Sequence, residues 1–257
     1  MSGQIEGLTA LVTGAATGMG RATAERFAAE GAKLVLFGLG AGALDAAAAA
    51  TGGIAVHGDV TAEQDVAAAI GACAGRLDIV VNAAGLIVPD TPATVTDAVW
   101  DRTFAVNVTG TMKVCRAALP LLGARGGAIV NIASIAAFNA SPESASYATS
   151  KAALVAYTRS LAYAHGHEGI RANAIAPGWV RTPMSEDEMR LAADRNGTSV
   201  EREFAALTGR IALGRVADPR EIAACCLFLA SPESSFVTGA VLVADGGGRS
   251  PINARAI

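Results

Sequence analysis

The sequence predicts one α/β domain, a doubly wound parallel sheet of about seven strands with helices on both faces. Three observations lead there. Short apolar runs alternate with longer, Ala-rich helical segments from end to end, which is the order of successive strand–helix–strand units. The turns between them are short, with no linker, repeat or second domain, so residues 1–257 read as one unit. The residues best suited to bind or react with a ligand follow the expected strands, on the rim where such sheets take ligands.

The chain has 257 residues, 52% hydrophobic and 17% charged, with a net charge of −3. That length buries a core without covalent staples. The slightly acidic balance lacks the basic footprint of a nucleic-acid-binding protein. Cys73, Cys115, Cys225 and Cys226 have no metal-type spacing with His, and Cys225-Cys226 sits in an apolar helical run. Free buried thiols and a reducing cytoplasm are therefore expected, and no metal site. The polar start carries no signal-peptide pattern, and no apolar run reaches spanning length, so no membrane partner is expected.

Thr9–Thr13 reads as a buried strand. Gly14-Ala-Ala-Thr17-Gly18-Met19-Gly20 follows, then the helical run Arg21–Glu30. Strand, glycine turn, helix is the arrangement in which helix N-terminal N–H groups bind a pyrophosphate. A plain glycine-rich turn would share the composition, but the flanking elements favour the dinucleotide. Lys33–Phe37 is the second strand. In a Rossmann-type fold its end faces the adenosine ribose, where an acid suits NAD and a base suits NADP. Here Gly38-Leu39-Gly40 supplies neither.

Ile54–Val56 is a third strand, leading to Asp59-Val60. Asp59 could bond an adenine amino group or cap the helix starting near Thr61. Asp78–Val81 is a fourth, followed by Asn82-Ala-Ala-Gly85, whose small residues let backbone approach a flat ligand. A Pro-containing loop precedes a long helix over Trp100–Leu122, with Asn107 inside it, where Asn is mildly unfavourable. Gly127–Ala133 is the fifth strand, ending at Ser134; Glu143–Ala164 is the helix of Tyr147 and Lys151. Arg171–Ile175 leads into Pro177-Gly178-Trp-Val180-Arg-Thr182. Residues 184–210 are charged and helical and read as a substrate lid. The helix Pro219–Ala230 and the strand Gly239–Val243 complete the chain.

Tyr147 and Lys151 share a helical face at i and i+4. A phenol is a poor base at neutral pH, and a neighbouring ammonium favours its ionised form. Ser134 can hold a substrate oxygen by hydrogen bonding. The three side chains can move a proton on a substrate oxygen but not a hydride, so a cofactor is required.

Taken together and in order, Thr13-Gly-Ala-Ala-Thr-Gly-Met-Gly20, Asp59-Val60, Asn82-Ala-Ala-Gly85, Asn107, Ser134, Tyr147-Ala-Thr-Ser-Lys151 and Pro177-Gly178 resemble the short-chain dehydrogenase/reductase family over essentially the full chain. The resemblance implies Tyr147 as general acid/base, Ser134 orienting the substrate oxygen, Lys151 lowering the Tyr147 pKa and binding the nicotinamide ribose, and Asn107 holding a water in a proton relay. It implies Thr182 and Val180 at the nicotinamide, and commonly a homotetramer. Gly38 stands where NAD users of the family carry Asp, Leu39 where many NADP users carry Arg, and Thr17 where others carry a base. The cofactor is thus NAD(H) or NADP(H), and the two empty basic positions tip the balance to NAD(H).

The function expected is interconversion of a secondary alcohol and a ketone on a small or medium apolar substrate. Ile87, Ala136, Ala137, Phe138, Trp179, Met184 and Met189 are the expected pocket lining. One alternative is NADPH-dependent reduction of a 3-oxoacyl thioester, using Arg residues near 102–125 for an acidic carrier. Another, of a different class, is a cofactor-binding regulator without turnover, whose mark would be a broken catalytic set; here the set is complete.

Overall fold

β1 (Thr9–Thr13) is buried along its whole length, as a central parallel strand with both faces covered must be. The computed structural model describes residues 3–139 and 143–248. Residues 140–142, within the Ser134–Lys151 stretch, lie outside the described residues. β1 pairs in parallel with β2 (Lys33–Gly38) on one side and β4 (Ile79–Asn82) on the other. β3 (Ile54–His57) extends the first side; β5 (Gly127–Ile132), β6 (Ile170–Pro177) and β7 (Val241–Ala244) extend the second. The described residues thus form a seven-stranded sheet in the order β3-β2-β1-β4-β5-β6-β7. The chain winds outward from β1 and then returns to the other side, so the switch point lies between β1 and β4, where such folds open a crevice.

One sheet face is covered by α1 (Gly18–Ala29), α2 (Ala41–Thr51) and α9 (Pro219–Ala230), through Phe27, Leu44 and Ile222 among others. The other carries α3 (Glu63–Gly71), α5 (Thr111–Leu122) and α6 (Ala145–His165), through Val66, Val114 and Leu161. These are the two helical layers that the alternating sequence pattern anticipates. The long helix expected over Trp100–Leu122 is instead α4 (Asp97–Phe104), a π-helical turn at Ala105–Gly110, and α5. The wide turn holds Asn107, which is fully buried. α7 (Pro183–Asn196) and α8 (Val200–Thr208) occupy the charged segment after β6.

Candidate active site

The glycine turn after β1 is shaped by contacts only a missing side chain permits. Gly14 has φ +63°, and a Cβ there would lie 2.8 Å from the Ala84 backbone; at Gly20 it would lie 2.3 Å from the Gly14 carbonyl oxygen. Thr13 Oγ1 accepts from the N–H groups of Ala83 and Ala84, both at 3.1 Å, tying this turn to the one after β4. At the start of α1, the Thr17 side chain makes no capping bond and the first turn holds no acid. By contrast α7, α8 and α9 are capped by Thr182, Ser199 and Asp218. The α1 N–H groups therefore face a cleft with their positive end unanswered, which fits a dinucleotide pyrophosphate.

That cleft has a volume of about 940 Å³ including its open mouth. Gly14, Thr17, Gly18, Met19, Gly20, Leu39, Asp59, Val60, Gly85 and Thr182 all line it, ten of the positions singled out from the sequence. Sequence reading weighed Arg102 only within a basic patch for an acidic carrier and passed over Val106; both reach the cleft from the α4–π segment, a distance along the chain that no local motif reports. Arg102 pairs with Asp59 Oδ2 at 3.3 Å, while Asp59 Oδ1 accepts from Thr61 N–H. Asp59 lines the cleft where an adenine edge was expected, but it does not cap the next helix: α3 takes its N-cap at Ala62 without a side-chain cap, and the Asp59–Thr61 bond closes the turn before it.

Asn82 is buried differently. Its amide donates to Asn131 Oδ1 at 2.8 Å and toward Cys115 Sγ at 3.3 Å, clamping β4 to its neighbours rather than lining the cleft. Pro177, Gly178 and Val180 likewise lie outside the cleft lining: Gly178 packs against Asp245 and Val180 joins the core. The apolar pocket needs one correction. Trp179 lines a separate cavity with Leu213, Cys225 and Asp245, because the turn after β6 points its indole toward the strand β7 end. Met189 is buried on the inner face of α7 and Ala137 and Phe138 pack over Val155; Met184 does line the cleft.

Deeper along the rim, Lys151 is 4% exposed and its Nζ donates to the Ile132 carbonyl at 2.8 Å. A Cβ on Gly85 would lie 3.4 Å from Lys151 Nζ and 3.3 Å from Asn107 Oδ1, so the β4 turn, the π turn and α6 meet at one point. Asn107 Oδ1 accepts from Leu86 N–H at 2.9 Å, and its Nδ2 donates to the Leu86 carbonyl and to Ser150 Oγ, each at 3.0 Å. The mid-helix Asn thus has a structural reason: it holds the Gly85–Leu86 backbone as a strand partner would. Its side-chain amide is engaged by Leu86 and Ser150, with Ser150 next to Lys151.

Ser134 caps the short turn Ile135–Ala137, its Oγ accepting from Ala136 N–H at 3.1 Å, and its hydroxyl reaches Tyr147. Tyr147 stands beside it. Burial pushes the phenol up to about 12, against the downward pull of the Ser134 hydroxyl. The Lys151 ammonium is 5.6 Å from the ring centre, and burial brings it down to about 8. The lowering expected from Lys151 is not seen at Tyr147: burial raises the phenol, and the Ser134 hydroxyl is the group that pulls it down. Asp90, which sequence reading passed over inside a Pro-containing loop, is 7% exposed and accepts from Ser146 N–H and Ser146 Oγ in the first turn of α6. It anchors the start of the helix that carries Tyr147 and Lys151.

An uncapped helix end at the switch point, joined along one rim to a hydroxyl, a phenol and a buried ammonium, fits one class: a dinucleotide-dependent oxidoreductase of the Rossmann type. The comparisons agree. A family model described as enoyl-(acyl carrier protein) reductase matches residues 14–248. An oxidoreductase UcpA of Escherichia coli O157:H7 is 39% identical over 97% of both chains. A cis-4-hydroxycyclohexanecarboxylate dehydrogenase of Sinomonas cyclohexanicum is 39% identical over 93% of this chain and 95% of its own. The solved L-sorbose reductase of Gluconobacter frateurii, complexed with NADPH and L-sorbose, superposes with a TM-score of 0.91 at 30% identity, covering 96% of this chain and 98% of that one. This chain belongs to the short-chain dehydrogenase/reductase family. It is an oxidoreductase acting on CH–OH groups with NAD or NADP. Among the described residues no helix is long and apolar enough to cross a membrane, and no cluster of three or more His, Cys, Asp or Glu side chains could hold a metal ion.

Proposed function

We propose that the protein interconverts a secondary alcohol and a ketone, with Tyr147 moving the proton. The observation that carries this reading is the meeting of Ser134, Tyr147 and Lys151 beside a cleft with an uncapped helix end. The nicotinamide cofactor supplies or accepts the hydride when bound. The Ser134 hydroxyl donates to the substrate oxygen and fixes it against the phenol. Tyr147, protonated at neutral pH, gives its proton to that oxygen as the carbonyl becomes an alcohol; the Lys151 ammonium steadies the phenolate left behind. Asn107 holds the Gly85–Leu86 backbone, and Asn82 holds the sheet beneath it.

The cofactor we infer is NAD(H). Arg102 is the one cation lining the cleft among the described residues, and Asp59 already pairs with it. Leu39, 62% exposed on the rim, suits an adenosine edge. Thr182 would meet the carboxamide from its place at the head of α7; Pro177, Gly178 and Val180 would support that segment. α7 and α8 would act as the lid over the substrate. The acidic-carrier alternative loses its footing, because Arg116 and Lys113 pair with Glu63 as Arg102 does with Asp59. The exposed Tyr163, Phe228 and Phe236 rings support a homotetramer, which sedimentation at micromolar concentration would test against a monomer.

Replacing Tyr147 with Phe tests the assignment. Ketone reduction should fall by at least about a hundredfold while cofactor binding stays measurable by nicotinamide fluorescence. Turnover at the wild-type rate would refute it.

A further inference from the structure

The Leu39 end of the cleft holds the one ion pair among its lining residues. Arg102 Nη2 donates to Asp59 Oδ2 at 3.3 Å, across 43 residues of chain. The pair is open to water, with side-chain exposures of 50% and 27%, and such pairs add little to stability. Its geometry is nevertheless set from both sides. Arg102 stands on α4 next to Thr103, which is fully buried, and Trp100 and Phe104 of the same helix stack at 4.9 Å. Asp59 donates its N–H to Asp65 Oδ2 at 2.8 Å, and its Oδ1 accepts from Thr61 N–H at 2.9 Å. Each carboxyl oxygen thus has one protein donor and a lone pair to spare. Arg102 makes no other ion pair among the described residues. Leu39 follows β2 and Gly58 follows β3, and Gly58 N–H donates to the Gly38 carbonyl at 3.1 Å. An apolar side chain and the clamped carboxylate therefore stand at adjacent strand ends.

We propose that Arg102 is a positioning residue for base recognition: through its bond to Asp59 Oδ2 it aims that carboxylate at the exocyclic amino group of the cofactor's base, so the enzyme distinguishes an adenine dinucleotide from its hypoxanthine counterpart. The inference rests on the reading that sets Asp59 at an adenine edge. A carboxylate only accepts hydrogen bonds. Adenine offers it an amino group; hypoxanthine carries a carbonyl oxygen in that place, which cannot donate and meets the carboxylate with like partial charge. A carboxylate free to rotate must be ordered when the base binds, and that ordering erodes the discrimination. The Thr61 N–H holds Oδ1 alone and leaves the group able to turn about that contact; Arg102 holds the second oxygen. Arg102 also offsets the negative charge of Asp59, which favours any anionic dinucleotide equally, whatever its base.

The test titrates nicotinamide fluorescence with NADH and with reduced nicotinamide hypoxanthine dinucleotide, and again with the 2′-phosphorylated form of each, so that either cofactor preference leaves a ratio to read. The general charge effect cancels in the ratio of dissociation constants. The wild type should bind the adenine form about 10- to 100-fold more tightly, the range for one hydrogen bond to a charged group. Arg102→Leu should weaken both forms and reduce that ratio by at least about threefold. Asp59→Ser keeps a hydroxyl able to accept from Thr61 N–H but too short to reach a base. It should bring the ratio to about one, and adding Arg102→Leu to it should not change the ratio again. Thermal unfolding checks that each variant is folded. A wild-type ratio in Arg102→Leu, or a ratio that moves when Arg102→Leu is added to Asp59→Ser, overturns this proposal alone. A wild type without preference, or an unchanged ratio in Asp59→Ser, overturns the adenine reading of Asp59, and this proposal with it. Binding of none of the four dinucleotides overturns their placement in the cleft, and both readings fall.

Discussion

Replacing Lys151 with Met should make the protein more stable at neutral pH while abolishing turnover. Burial brings the ammonium down to about 8 in the folded chain, against 10.5 for a free lysine side chain. The folded state therefore binds fewer protons than the unfolded chain between these values. Its charge is a destabilising term, fully present below the folded pKa and relieved as pH rises toward the unfolded one. At 1.36 kcal/mol per unit, the difference amounts to roughly 3 kcal/mol at pH 7 and falls to roughly 1 kcal/mol by about pH 9.5. Against this, the Ile132 carbonyl loses its 2.8 Å donor, a cost of about 1–3 kcal/mol that does not vary with pH. The net gain at pH 7 is therefore about 1 kcal/mol, but the pH trend is independent of the offset. Urea unfolding of both proteins across this pH range measures it. The stability difference, variant minus wild type, should shrink by about 2 kcal/mol as pH rises from 7 to about 9.5. A difference that stays flat, or widens, would falsify the view that Lys151 is held as a desolvated cation for the sake of catalysis.

Two further substitutions and one pH profile probe the rest of the site. Asp90→Ala removes the carboxylate that holds Ser146 at the start of α6; thermal unfolding should report a loss of about 2–4 kcal/mol, and kcat should fall more than cofactor affinity. Gly38→Asp places a carboxylate at the end of β2 without a clash, since a Cβ there meets nothing closer than 3.6 Å. Fluorescence titration should then find NADH favoured over NADPH by about tenfold more than in the wild type, because the carboxylate accepts from ribose hydroxyls and repels a 2′-phosphate. Alcohol oxidation, which needs the phenolate, should rise with pH up to about 8, where the Lys151 ammonium begins to be lost, whereas ketone reduction should not rise; parallel profiles would contradict the assignment of Tyr147.

Much of this protein is legible in its sequence because the signals are local. β1, its glycine turn and α1 follow from an apolar run, from residues that must lack a Cβ, and from Ala-rich helical spacing, all within Thr9–Ala29. The same holds for Tyr147 and Lys151, which α6 brings to one face by period alone. The parallel, doubly wound sheet was implied by the strand–helix alternation, whereas the order in which its strands lie was decided by the tertiary structure. Distances along the chain hide the remainder. Arg102 meets Asp59 and Asn107 meets Leu86 across 43 and 21 residues, which no spacing rule connects. Asn82 and Asn107 carried a polar signal in the sequence, yet only packing decided that one clamps the sheet and the other holds the Gly85–Leu86 backbone. Trp179 looked like pocket lining by position, and the path of the turn after β6 sent it elsewhere. The balance at Tyr147 is the plainest case: residue type and spacing set an ammonium near a phenol, but the depth of burial, a property of the whole fold, decides which way the phenol moves.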